Sequence, residues 1–146
     1  MPMKILGLDY GHRRIGLAFA DELGVAFPIE AAVENEFEAR MARISREVER
    51  RKPDMLLVGY PYNMDGTAGA KAREVDEFIG LLKTRFNLPV EISDERLSSH
   101  QAEADMRIFS KGPKSVKSRI KQRRTGEIDS RAIALVLQDY IETHPQ

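Results

Sequence analysis

Met3-Lys4-Ile5-Leu6-Gly7-Leu8-Asp9-Tyr10-Gly11-His12-Arg13-Arg14-Ile15-Gly16 is an apolar strand that stops at an acid, turns through Gly11 and resumes with Ile15-Gly16-Leu17-Ala18-Phe19. An ionised carboxylate in apolar surroundings costs several kcal/mol unless it is paired or bound to metal. Asp9 therefore belongs at the edge of a sheet rather than in its core. Gly11 and Gly16 fit a tight antiparallel turn that needs either positive φ or close backbone approach. Taken alone, Asp-x-Gly describes an ordinary hairpin whose acid makes a turn hydrogen bond. Whether other carboxylates join Asp9 is settled further along the chain.

Gly24 to Val33 is a third extended run, and Pro28 suits an edge strand because it has no N–H to give to a ladder. From Glu34 to Lys52, Phe37, Met41, Ile44 and Val48 recur at helical spacing with charges between them. The arginines of this helix are expected on its wet face. Pro53-Asp54 breaks the helix, and Met55 to Gly59 is a short, wholly apolar strand of the kind buried on both faces. A loop rich in turn formers follows, containing Asp65. A second amphipathic helix is predicted from Ala68 to Phe86, and a fifth strand from Val90 to Ser93. Ser98 and Gln101 have the form of a capping box for a helix from Ser99 to about Phe109. An apolar helix from Ile128 to Ile141, with Asp129 in its first turn, closes the chain.

This order predicts an α/β fold, a five-stranded mixed sheet made of a three-strand antiparallel meander plus two parallel strands, flanked by helices. At 146 residues it is read as a single domain spanning 1–146. No apolar run approaches a membrane span and no secretory signal opens the chain, so a cytoplasmic location without membrane contact is expected. The absence of cysteine excludes thiol catalysis, disulfides and cysteine-based zinc sites, and the three histidines are scattered.

The first, fourth and fifth strands can run parallel with their carboxyl ends together. That places Asp9, Asp65 and Glu95 at one edge of the sheet, with Asp129 brought over them by the last helix. Gathered carboxylates repel one another unless they are protonated or bind a cation. Oxygen donors alone match the hard ions Mg²⁺ or Mn²⁺. Two such ions about 4 Å apart are a known device for phosphodiester hydrolysis. Formal net charge is zero, yet Lys111, Lys114, Lys117, Arg119, Lys121, Arg123 and Arg124 form a segment free of acids. Together with Arg13, Arg14 and Arg96 these are the candidate phosphate contacts. Each signal also has a plain structural explanation: a helix-start acid at Asp129, turn acids at Asp65 and Asp94, an ion-pair partner at Arg96, and a solvated loop from Lys111 to Arg124.

Several blocks, in order over nearly the whole chain, resemble the YqgF family, also called RuvX, of RNase H-like fold. They are Gly7-Leu8-Asp9-Tyr10-Gly11 with Ile15-Gly16; Val58-Gly59-Tyr60-Pro61 with Asn63-Met64-Asp65-Gly66-Thr67; Asp94-Glu95-Arg96-Leu97-Ser98; and Ile128-Asp129. The resemblance implies that Asp9, Glu95 and Asp129 are the acidic, metal-binding positions, with Asp65 and Ser98 as ancillary candidates. It implies a nuclease that matures the precursor of small-subunit ribosomal RNA or cleaves branched DNA such as Holliday junctions; cutting a junction's two strands alike calls for a homodimer, whereas RNA processing is open to a monomer. The chain departs from the family pattern at Thr125-Gly126-Glu127, where relatives usually carry basic residues; Glu127 is either a local weakening of phosphate binding or an extra carboxylate. Two other classes are weighed: an RNase H-like module that binds nucleic acid but cuts poorly, and a fragment of an actin-like ATPase, for which the chain lacks length and a second Gly-rich loop.

Overall fold

The computed structural model describes residues 3–61, 69–94 and 126–144. Its strands are β1 (Ile5–Asp9), β2 (Arg14–Ala20), β3 (Ala26–Val33), β4 (Met55–Tyr60) and β5 (Val90–Asp94). Its helices are α1 (Phe37–Arg51), α2 (Ala70–Phe86) and α3 (Glu127–Thr143). The strands form one sheet in the order β3-β2-β1-β4-β5. β1, β2 and β3 pair antiparallel, whereas β4 pairs parallel with β1 and β5 parallel with β4. The meander plus two parallel strands is the arrangement the sequence predicts, and every described element lies within a few residues of its expected bounds.

Successive side chains of a strand point to opposite faces, so each strand divides its residues between two cores. Leu6, Leu8, Ile15, Leu17, Phe19, Leu56 and Val58 face Met41 and Ile44 of α1 and Val75, Phe78 and Leu82 of α2. Ile5, Ala18, Ala20, Met55 and Leu57 face Ile133, Ala134, Val136 and Leu137 of α3. β4 is buried along its whole length, as its unbroken apolar run requires. β3 is the half-exposed edge that Pro28 signalled.

Where α3 crosses β1 and β2, its face of the sheet carries small residues, Gly7, Gly16, Ala18 and Ala20. In the β1–β2 register Gly7 lies opposite Ala18 and Asp9 opposite Gly16. A Cβ on Gly7 would stand 3.1 Å from Ile133 Cγ1, and one on Gly16 would stand 2.5 Å from the Asp129 carbonyl carbon. Gly16 is therefore required for close helix approach and not for turn geometry. Positive φ occurs instead at Gly126, +72°, the residue that opens α3.

The wet-face expectation for the arginines of α1 is corrected at Arg40, which is buried. It donates from Nη1 to the carbonyl oxygens of Glu34 and Asn35, at 2.7 and 3.1 Å, and lies over the Phe37 ring. Two backbone carbonyls hold one end of the guanidinium inside while Nε is buried with no hydrogen-bond partner among the described residues, an environment that helical periodicity does not register. Glu47 is buried on the same helix, between Arg43 and Arg51 at 2.6 Å each.

Candidate active site

Asp9 shares strand parity with Ile5 and Gly7 and therefore belongs to the α3 face. Asp129, in the first turn of α3, lies against Gly16, the register partner of Asp9. The two acids thus line one cleft of about 320 Å³, together with Tyr10, Gly11, His12, Arg13, Arg14 and Lys71. That volume is at the small end of ligand clefts, suited to one reacting phosphate and its immediate neighbours rather than to a duplex.

Two devices hold the first turn of α3 in place. The β2–β3 register shifts between Ile15 and Leu17, and the Leu17 N–H donates to Ser130 Oγ at 3.1 Å in a buried position. Gly126 fits against Ala31 of β3, where a Cβ would stand 2.5 Å from the alanine methyl, and its carbonyl accepts from the Ser130 N–H at 2.9 Å. Asp129 sits between these anchors, so its position is set by contacts of Gly126 and Ser130 on either side of it.

Cations border the acids. Arg14 Nε is 3.5 Å from Asp129 Oδ2, each side chain about one-third exposed. Arg13 is exposed on the turn. His12 Nε2 lies 2.6 Å from Glu74 Oε2 of α2, and Tyr10 packs on Phe78 with ring centroids 5.0 Å apart. The turn after β1 is thereby fastened to α2. Sequence reading missed the partner of His12, since nothing local links positions 62 residues apart. It also missed Lys71, which reaches the cleft from the opening turn of α2.

The parallel strands deliver their carboxyl ends side by side, as the convergence of acids requires. Leu8 is level with Val58 and Val58 with Ile92, so Asp9, Tyr60 and Asp94 finish at the same edge. Glu95, the residue after β5, lies outside the described residues, as do Asp65, Arg96, Ser98 and the basic positions Lys111, Lys114, Lys117, Arg119, Lys121, Arg123 and Arg124. Glu127 is described: it lies 3.6 Å from Arg131 Nη2 on the exposed side of α3 and does not line the cleft. Among the described residues no group of three or more His, Asp or Glu side chains is arranged to hold a metal. The donors present, two carboxylates, are of the chemical type that suits Mg²⁺ or Mn²⁺.

A sheet in this order, with an acid ending its central strand and another carried over it by the last helix, is RNase H-like. Solved structures agree on the fold. T. thermophilus RuvC in complex with a Holliday junction substrate superposes with a TM-score of 0.54 at 18% identity, covering 97% of this chain and 96% of that one. The fowlpox virus resolvase in complex with Holliday junction DNA gives 0.57 at 15% identity, covering 99% of this chain and all of that one. Sequence gives the narrower assignment. The model of the RuvX family, described as Holliday junction resolvase, matches residues 3–143, and the chain belongs to that family. A relative from Opitutus terrae named "Putative pre-16S rRNA nuclease" is 43% identical over 141 residues, 96% of this chain and 92% of that protein. One from Halothermothrix orenii with the same name is 36% identical, covering 95% and 94%. No helix among the described residues is long and apolar enough to cross a membrane.

Proposed function

We propose that the protein is a divalent-metal-dependent nuclease that hydrolyses phosphodiester bonds in structured nucleic acid, with the ribosomal RNA precursor named in its relatives as substrate and branched DNA as the competing one. The observation that carries this reading is the meeting of Asp9 and Asp129 in one cleft bordered by Arg13, Arg14 and Lys71. Two carboxylates held together cost free energy unless a cation joins them, and a phosphate-binding site needs cations beside it.

Asp9, Asp129 and Glu95 would hold Mg²⁺ or Mn²⁺. When bound, the metal lowers the pKa of water and stabilises charge on phosphate oxygens. The chain supplies the rest. β1 and the anchored first turn of α3 fix the two acids with little freedom, so the geometry exists before substrate arrives. Arg13 and Arg14 approach the phosphate from the turn, and Arg14 exchanges its contact with Asp129 for the incoming anion. The basic positions from Lys111 to Arg124, with Arg96, extend the contact along the backbone of the nucleic acid, a sequence-independent attraction that weakens steeply with salt.

The test is a cleavage assay of the purified chain on a fragment of the small-subunit ribosomal RNA precursor and on a four-way DNA junction, with Mg²⁺, with Mn²⁺ and with EDTA. Metal-dependent products from the RNA are expected. Binding of both substrates without cleavage of either, in any metal, overturns the nuclease reading in favour of a binding module.

A further inference from the structure

Lys71 is the one cation of the cleft that comes from α2, and the function proposed above counts it among the bordering cations without saying what it binds. α2 packs on the face of the sheet opposite α3, so Lys71 and Asp129 enter the cleft from its two sides. Its location runs against local helix energetics. A cation in the first turn opposes the macrodipole, and the first turn of α2 contains no acid to offset it. The acid one turn on, Glu74, is engaged by His12 at 2.6 Å. Lys71 itself is exposed and makes no ion pair with another described residue. An exposed ammonium that lines the same cleft as Asp9 and Asp129, without an ion pair to another described residue, is available to an anion bound there.

We infer that Lys71 binds a non-bridging oxygen of the substrate phosphate in the cleft that Asp9 and Asp129 line, and so is a further catalytic residue of this nuclease. This rests on the function proposed above. As water adds to phosphorus and negative charge grows on the phosphate oxygens, a fixed ammonium stabilises the transition state more than the bound substrate. The compact, three-donor head of lysine suits a single oxygen better than the bidentate grip of arginine.

The experiment compares the parent chain with Lys71→Gln and Lys71→Arg. Cleavage of the precursor RNA fragment is measured at saturating Mn²⁺, and binding of the same RNA is measured in EDTA at about 50–200 mM salt. Lys71→Gln is expected to lower kcat/KM about 10- to 100-fold, mainly through kcat, with an unchanged melting temperature. It should also lose about one unit of the log–log salt slope of binding. Lys71→Arg is expected to restore the slope and part of the rate. If Lys71 only balances the acids, the Gln variant binds Mn²⁺ more tightly and cuts at the parent rate, which overturns the inference. A parent that binds but does not cut refutes the nuclease reading; a loss of slope in Lys71→Gln then still upholds the phosphate contact, and an unchanged slope refutes that too.

Discussion

Gly16 of β2 lies directly beneath Asp129 of α3: a methyl group on its Cα would stand 2.5 Å from the Asp129 carbonyl carbon and 2.6 Å from the carbonyl oxygen. Both are backbone atoms, so no rotamer change relieves the contact. Because Gly16 is also the register partner of Asp9, this one glycine sets the distance between the two acids of the cleft.

Gly16→Ala is therefore expected to push the start of α3 off the sheet. Overpacking of this kind costs about 1–3 kcal/mol, and a reacting group displaced by about 1 Å loses on the order of 10²-fold in rate. Thermal melting and cleavage rate, measured on the same preparation, check both effects. Loss of rate should exceed what the small change in folded fraction explains.

Ser130→Ala removes the hydroxyl that accepts from the Leu17 N–H. A buried donor left without a partner costs about 1–3 kcal/mol. The variant is expected to melt lower, and hydrogen exchange at the Leu17 amide should accelerate more than at amides of β4. Equal protection at Leu17 in both proteins would show that the bond contributes nothing.

Glu47 offers a pH test away from the cleft. Burial pushes its carboxyl up, but hydrogen bonds and charge attraction from Arg51 and Arg43 outweigh burial and hold it below the ordinary value of 4.5. A depressed pKa contributes stability that is fully present above the unfolded value and is lost as pH falls through the folded one. Glu47→Gln is expected to cost about 1–3 kcal/mol at neutral pH, and the gap from the parent should narrow only below about pH 4.5. A gap that is constant down to pH 3 would contradict the ion-pair account. Arg51 also lies over Phe19 and Phe27, at 5.1 and 5.8 Å from the ring centroids, so losing Glu47 loosens the outer end of β2 and β3 as well.

The topology was legible because each signal was local. The apolar runs of β1 and β2 divided by the turn at Gly11, the all-apolar β4, Pro28 on the edge and the helical spacing of α1 are properties of short windows, and each led to the right element. The pairing of Asp9 with Asp129 was legible only through topology: parallel strands had to end together and the last helix had to return to them. What the sequence hid were contacts between distant positions that obey no period. Ser130 reads as a neutral helix residue until the shift in the β2–β3 register leaves the Leu17 N–H for it. Lys71 carried one faint mark, a cation in the first turn of a helix without acids there. Arg40 was misread because a charged residue is expected in water, while backbone carbonyls of the preceding loop hold it inside.

The central claim is that Asp9 and Asp129 act as one site. It is tested most directly by single-turnover cleavage of the precursor RNA fragment in saturating Mn²⁺ by the parent, Asp9→Asn, Asp129→Asn and the double variant, all checked for unchanged melting. Residues that act as a unit are strongly non-additive. Each single variant is expected to lose about 10³-fold or more, with the double variant no slower than the slower single one. Rates for either single variant within about threefold of the parent, or losses that simply multiply in the double variant, would contradict a shared site.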